Sequence, residues 1–277
     1  MSSVPQRGFS LVELMVASAL ALMSLAALFN LGRAVWMAQR TGAALSQMAE
    51  DGMVTLALLR GFIAQAGYSA PTAVEASGTL RRTWALRAVF GCDAEFSQPS
   101  APIQSLTCGK KGQDALAVAF QADAQNSLLG SDGLPMDCAG NQIVPTAGPG
   151  GVPFHLSYNR FYVVDGTLYC KGSGGTGQAM ALLDHVQALD IQYGLAAAVP
   201  DQAAAYVPAA DVLNWGQVVA VRLCLVVRSA SDGMVPEPVP YVGCDPFSAS
   251  ITPADRRLYR AYTLTVMLRN ARGMAAA

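Results

Sequence analysis

The sequence predicts an α+β fold in which one long N-terminal helix packs on a loop-rich, mainly antiparallel β-sheet body. Three observations predict it. A charge-free apolar run, Leu14–Leu31, follows a short leader. A helical apolar pattern then continues without proline to about residue 68. After it, short alternating apolar segments are separated by stretches rich in glycine and proline.

The first eight residues form a leader that ends at Gly8 and is too short for an ordinary signal peptide. An ordinary signal peptide is cut after its apolar stretch, beside small residues. The pair Ala26-Ala27 offers such a cut as the alternative. The helical pattern does not stop at Leu31, however, so we favour removal of residues 1–8, which leaves the apolar run on the mature chain.

The helix itself is expected over residues 9–66, which would measure about 87 Å at 1.5 Å per residue. Its apolar run has 18 residues, the lower edge of the roughly 17 to 25 that span a membrane. Gly67 and then Pro71 signal the end of the helix. The amphipathic half is expected to dock on the body through a stripe formed by Ala38, Gly42, Leu45, Met48, Gly52, Leu56, Leu59 and Ile63.

The body, residues 69–277, has no repeat and no second domain boundary, and its length suits one core or a core divided between two sheets. Asp165-Gly166 between apolar runs predicts a hairpin. Strands are expected over 115–121, 161–170, 186–193, 218–227 and 259–269. The long connections are expected over 126–153, 171–178, 196–213 and 229–255.

All six cysteines lie after the apolar run, and none forms the C-x-x-C spacing of zinc ribbons or thioredoxin-like sites. An even number in an exported body indicates disulfides, although buried free thiols remain the alternative. Six cysteines allow 15 pairings. The simplest is the sequential one, which joins Cys92 to Cys108, Cys138 to Cys170, and Cys224 to Cys244.

The sequence contains no catalytic or cofactor motif that we recognise, so we expect no enzyme, no cofactor, no metal and no small-molecule substrate. The two histidines, His155 and His185, have no ligand-spaced neighbours. The glycine-rich stretch 172–177 lacks the G-K-[ST] ending of a phosphate-binding loop. The net charge is -1, which makes strong binding to nucleic acid unfavourable.

The N-terminus resembles a type IV prepilin through Arg7, Gly8, Phe9 and Glu13. The resemblance implies cleavage between Gly8 and Phe9 by a prepilin peptidase, and N-methylation of Phe9. It also implies that Glu13 pairs with the free amine of a neighbouring subunit's first residue. The alternative is a carboxylate satisfied by water at the headgroup level, because a charge at the centre of a span costs about 2.5 to 3.5 kcal/mol.

Three later segments, 186–194, 215–229 and 268–270, resemble PilW-type minor pilins. This resemblance implies a filament-core part at 9–31, an amphipathic part at 32–68 and a periplasmic body. It further implies an inner-membrane subunit that joins a tip or priming complex for pilus assembly, with effects on twitching motility and adhesion. Its partners would be other minor pilins, the major pilin and the inner-membrane assembly platform.

Several other functions fit parts of the same pattern. The first alternative is a GspJ-like pseudopilin at the tip of a type II secretion pseudopilus, since both classes share leader, helix and sheet. A tip adhesin or a DNA-uptake pilin is a binding alternative, and the near-zero net charge disfavours the latter. A membrane-tethered enzyme is disfavoured by the lack of a catalytic constellation.

Overall fold

The computed structural model describes residues 8, 10–74, 80–84, 87–148, 151–174, 178–197 and 202–270. Within these ranges the chain forms one α-helix, α1 (Leu11–Gln65), followed by twelve β-strands. The strands are β1 (Pro71–Val74), β2 (Leu80–Arg82), β3 (Val89–Cys92), β4 (Ala115–Ala122), β5 (Pro145–Ala147), β6 (Pro153–Val164), β7 (Thr167–Lys171), β8 (Met180–Leu183), β9 (Val186–Ala196), β10 (Ala203–Val207), β11 (Val218–Arg228) and β12 (Tyr259–Met267).

The strands form two larger sheets and one small two-stranded sheet, and every strand pair in them is antiparallel. One sheet has the order β10-β9-β11-β12, and the other has the order β3-β4-β6-β7-β8 with β5 added to β6. A single apolar core joins both sheets and the second half of α1. The expected α+β class, a long helix on an antiparallel body, is therefore confirmed.

The ends of α1 follow from local chemistry. Ser10 has an extended backbone (φ -73°, ψ 145°) and its carbonyl accepts the Leu14 amide at 3.1 Å, which starts the helix. At the other end Gly67 takes a positive φ of 79°, which glycine adopts without steric cost. The helix stops at Gln65, one residue before the expected end, and the expected first residue, Phe9, lies outside the described ranges.

The amphipathic half of α1 docks on the body as its periodicity predicted, but over a shorter length. Ala38 and Gly42, which begin the predicted stripe, are exposed, and Thr41 is the first partly buried residue. The residues buried along the helix are Met48, Gly52, Thr55, Leu56, Leu59 and Ile63. At Gly52 the helix backbone lies against the Tyr262 ring of β12, where a Cβ atom would come within 2.6 Å of a ring carbon.

The clearest sequence signals in the body correspond to real strands. The β6–β7 hairpin turns at Asp165 (φ 49°) and Gly166 (φ 78°), the two positive φ values of a type I′ turn. The strand predicted over 218–227 is β11, which lies between β9 and β12 and is buried at nearly every position.

Other strands carry no such signal. The expected loop 196–213 contains β10, and the expected loop 126–153 contains β5. Strand β4 is buried on both faces: its residues from Ala115 to Ala119 all belong to the main core, and Phe120 and Ala122 form a small second cluster with Ile143.

Candidate assembly site

The first part of α1 extends away from the body with its apolar side chains uncovered. Described residues from Leu11 to Arg40 are all exposed. Leu11 is 75% exposed and Trp36 is 61% exposed. Among the described residues, α1 is the one helix long and apolar enough to cross a membrane. Burying such a surface is strongly favourable, so this segment is built for lipid or for other helices.

Gly8 is exposed, and a Cβ atom built on it would have no neighbour within 4 Å. The fold therefore gives no steric reason for glycine at this position. A requirement for glycine here must come from an external partner that approaches the backbone closely.

Glu13 lies in the first turn of α1 and is exposed. Its Oε2 atom accepts a hydrogen bond from the Ser10 amide at 3.3 Å. Ser10 and Glu13 have the S-x-x-E spacing of a capping box, a signal that the sequence analysis missed. The carboxylate thus stabilises the helix start within the chain, and it remains open to solvent for a partner charge.

The six cysteines form three disulfides in sequence order, which is the pairing the sequence favoured. The Cα–Cα distances are 5.4 Å for Cys92–Cys108, 6.1 Å for Cys138–Cys170 and 5.6 Å for Cys224–Cys244. The first ties β3 to the loop before β4, the second ties the 123–142 loop to β7, and the third ties β11 to the 229–255 connection. Each bridge anchors a long loop to a strand.

Both histidine residues take part in hydrogen bonds within the body. The Nδ1 atom of His155 lies 2.7 Å from the carbonyl oxygen of Ile143. The His185 carbonyl accepts the Arg228 amide at 2.9 Å, and its φ of 62° places it in the turn between β8 and β9. No group of three or more potential metal-ligating side chains occurs among the residues that the structure describes.

A polar contact joins the two larger sheets where β10 does not cover β9. The Gln113 side chain accepts the Leu189 amide at 2.7 Å and donates to the Gln187 carbonyl at 3.2 Å. The Asp114 carboxylate accepts the Ile191 amide at 2.7 Å. These two side chains bond alternate residues of the β9 edge, as a paired strand would, and so protect an otherwise open edge.

Asp93, Asp114 and Asp190 cluster at this junction, and burial raises the pKa of Asp114 and of Asp190. Desolvation raises the pKa of Asp114 to about 7, and the nearby charges of Asp190 and Asp93 add to the effect. Desolvation also raises the pKa of Asp190. Tyr193 is fully buried beside them, and its pKa is raised well above its usual value, first by desolvation. This junction was not predicted from sequence because its members lie far apart along the chain.

Arg160 on β6 is a second buried charge, only 4% exposed. Its guanidinium donates to the carbonyls of Gly172 at 3.1 Å and Ala101 at 2.6 Å. Desolvation lowers its pKa. Both partners are backbone oxygens on loops that flank the sheet, so the side chain holds these loops in place rather than presenting a catalytic cation.

Comparisons with known proteins find two family models and a solved structure that are similar to this chain. A model of the prokaryotic N-terminal methylation motif matches residues 5–29. A model described as type IV pilus-assembly protein W (PilW) matches residues 156–270. A type IV-like pilin from Thermus thermophilus is similar in structure, with 14% identity and a TM-score of 0.44 over 82% of this chain and 98% of that chain. No curated protein matches the chain.

The methylation motif at the start of a long exposed apolar helix defines the class, a type IV pilin-like protein. Within that class, the match over residues 156–270, from β6 past β12, supports a minor pilin of PilW type. Such a protein takes part in pilus assembly and works with other pilins and the assembly machinery.

Proposed function

We propose that this chain joins a tip complex that primes type IV pilus assembly. The observation that supports it most is the division of α1 into an exposed apolar segment, Leu11–Arg40, and a segment docked on a PilW-type body. The apolar segment has no cover of its own. In the bilayer, lipid covers this segment. In a filament, the equivalent helices of other pilins cover it instead.

Before assembly the chain crosses the inner membrane once, with its body in the periplasm, where three disulfides are stable. A prepilin peptidase cleaves between Gly8 and Phe9, and Phe9 is then N-methylated. The exposed position of Gly8 supports this step, because the peptidase must reach the backbone. Glu13 then pairs with the free amine of a neighbouring pilin in the apolar filament core.

The processing step is tested by intact mass of the membrane-bound protein. We expect the loss of residues 1–8 and the gain of one methyl group. A product cut near Ala27, released from the membrane, would contradict the proposal. Substituting Gly8 by a residue with a side chain should leave the leader attached.

The role in assembly is tested by deletion and complementation. We expect the deletion to reduce surface pili and twitching motility sharply. The protein itself should be scarce in sheared filaments and should co-purify with other minor pilins. Normal piliation together with loss of secretion of a folded exoprotein would show that the chain is a GspJ-like pseudopilin instead.

A further inference from the structure

A ladder of alternating aromatic and arginine side chains runs along one face of α1, at the end of the exposed apolar segment that is nearest the body. Its members are Phe29, Arg33, Trp36 and Arg40, spaced four, three and four residues apart. Residues at these spacings lie above one another on a helix. We refer to these four residues as the Phe29–Arg40 ladder.

Both arginines in the ladder point back toward the N-terminus. The Arg33 guanidinium carbon lies 5.9 Å from the centre of the Phe29 ring, and that of Arg40 lies 5.6 Å from the Trp36 ring. Helical side chains tilt in this direction. Each cation therefore lies nearer to the N-terminus of α1 than its own Cα atom, and the ring four residues earlier holds it there.

Arg40 lines a cleft that Asp51 and Asp184 also line, but neither arginine of the ladder has a carboxylate at ion-pair distance among the described residues. Arg33 and Arg40 are the two charged residues between Glu13 and Glu50. Neither forms an ion pair in the described part of the chain, where the Arg257–Asp255 pair is the salt bridge found. All four ladder residues are exposed, whereas Thr41, the next residue, already contacts the body through a hydrogen bond to the Met234 carbonyl at 3.1 Å.

The position of the ladder matches the boundary of a bilayer. The apolar stretch Leu11–Leu31 would measure about 32 Å as a helix, close to the ~30 Å hydrocarbon core. Trp36 follows about 7 Å further along the axis, at the depth of the headgroups. Aromatic residues favour that depth because one side of the ring is apolar and the other is wet.

We propose that the Phe29–Arg40 ladder binds the phosphate of an anionic phospholipid in the leaflet nearest the body, and so sets the depth of the subunit before assembly. This inference rests on the proposed membrane-anchored state. The arginines contact the lipid phosphate, and the aromatic rings hold the arginines at the interface. Two positive charges without an ion-pair partner in the described residues favour an anionic headgroup such as phosphatidylglycerol over a zwitterionic one.

The test uses the mature full-length chain in nanodiscs of equal phosphatidylcholine and phosphatidylglycerol, with retained lipids counted by native mass spectrometry. Each arginine should contribute about fivefold to phosphatidylglycerol retention, so Arg33→Gln with Arg40→Gln should lose about twenty-fivefold. Trp36→Leu should lose less. Arg60→Gln is the matched control and should match the unmodified chain, because Arg60 is an exposed arginine of the same helix beside the body.

Equal retention by the double variant and the Arg60→Gln control would overturn the proposal. So would retention that shows no preference between the two lipids, or that inorganic phosphate competes away completely, because the ligand would then be a free anion. A double variant that keeps its lipid but drops out of pili would also overturn it, in favour of an acidic pilin partner. If the ladder binds lipid while deletion leaves piliation normal, the proposed function fails and the lipid site stands.

Discussion

Glu13 serves two purposes that one substitution can separate. Its carboxylate caps the Ser10 amide within the chain, and we propose that it pairs with a neighbour's amine in the filament. Glu13→Gln keeps an oxygen acceptor for the cap but removes the charge, whereas Glu13→Ala removes both. If the charge is what assembly requires, both variants should be processed normally and both should be depleted from sheared filaments.

Immunoblots of membranes and sheared pili measure the two outcomes in the same cells. Incorporation of Glu13→Gln at the level of the unmodified chain would show that the cap alone matters. That result would contradict the proposed ion pair between Glu13 and a neighbouring amine.

Gly52 and Gly61 make a second matched pair on α1. A Cβ atom at Gly52 would come within 2.6 Å of the Tyr262 ring, while one at Gly61 would have no neighbour within 4 Å. Gly52→Ala should destabilise the protein by about 1 to 3 kcal/mol through overpacking. Gly61→Ala should stabilise it by about 0.5 to 1 kcal/mol through helix propensity.

Thermal unfolding of the two detergent-solubilised variants compares them directly. Similar melting temperatures would mean that the helix does not approach β12 as closely as the structure shows.

At the scale of elements, the contact between Gln113, Asp114 and the β9 edge predicts a dependence of stability on pH. The pKa of Asp114 is raised to about 7 from 3.8, so the folded protein binds a proton that the unfolded chain releases more readily. Its contribution is full below about pH 4 and is lost as the pH rises through about 7. Between pH 5 and pH 8 the body should therefore lose stability.

Asp114→Asn keeps an acceptor for the Ile191 amide and cannot ionise, so this loss should shrink. Urea unfolding at both pH values measures it, with disulfides intact. Asp190, whose pKa is also raised, should leave a residual dependence of the free energy of unfolding on pH. If the free energy of unfolding of the variant depends on pH as strongly as that of the unmodified chain, the effect comes from other groups.

The elements that the sequence predicted well are those with strong local signals. The helix of α1 has a stripe at steps of three and four, and the β6–β7 hairpin has Asp165-Gly166 at its turn. Strand β10, Ala203–Val207, contains three alanines and pairs through its backbone, so its side-chain pattern does not predict a strand. The Gln113–Asp114 contact was equally invisible, because it joins residues more than 70 positions apart.

The start of docking was misjudged for a related reason. A small residue such as Ala38 or Gly42 fits either a packed stripe or an exposed turn, and periodicity alone does not distinguish the two. The exposed Phe29–Arg40 ladder ends on the same turn of the helix as Ala38.

For the whole molecule, the boundary near Thr41 predicts that the body folds without the apolar segment. Residues 41–270 contain the docked part of α1, both larger sheets and all three disulfides. A chain that lacks residues 1–37, exported behind an ordinary signal peptide, should be soluble and fully oxidised. Non-reducing peptide mapping should find the same three pairs, and an aggregated or mispaired product would show that the segment assists folding.

The boundary between Arg40 and the first docked residue, Thr41, also has a thermodynamic consequence. Because residues 11–40 are exposed along their whole length, a substitution in this segment and one in the body should change stability additively. The two parts can then diverge at different rates. The sequence of the segment is constrained by the partners and lipids around it, while the sequence of the body is constrained by its own packing. Exchanging the first 40 residues between related pilins should thus change where a subunit is incorporated without changing how its body folds.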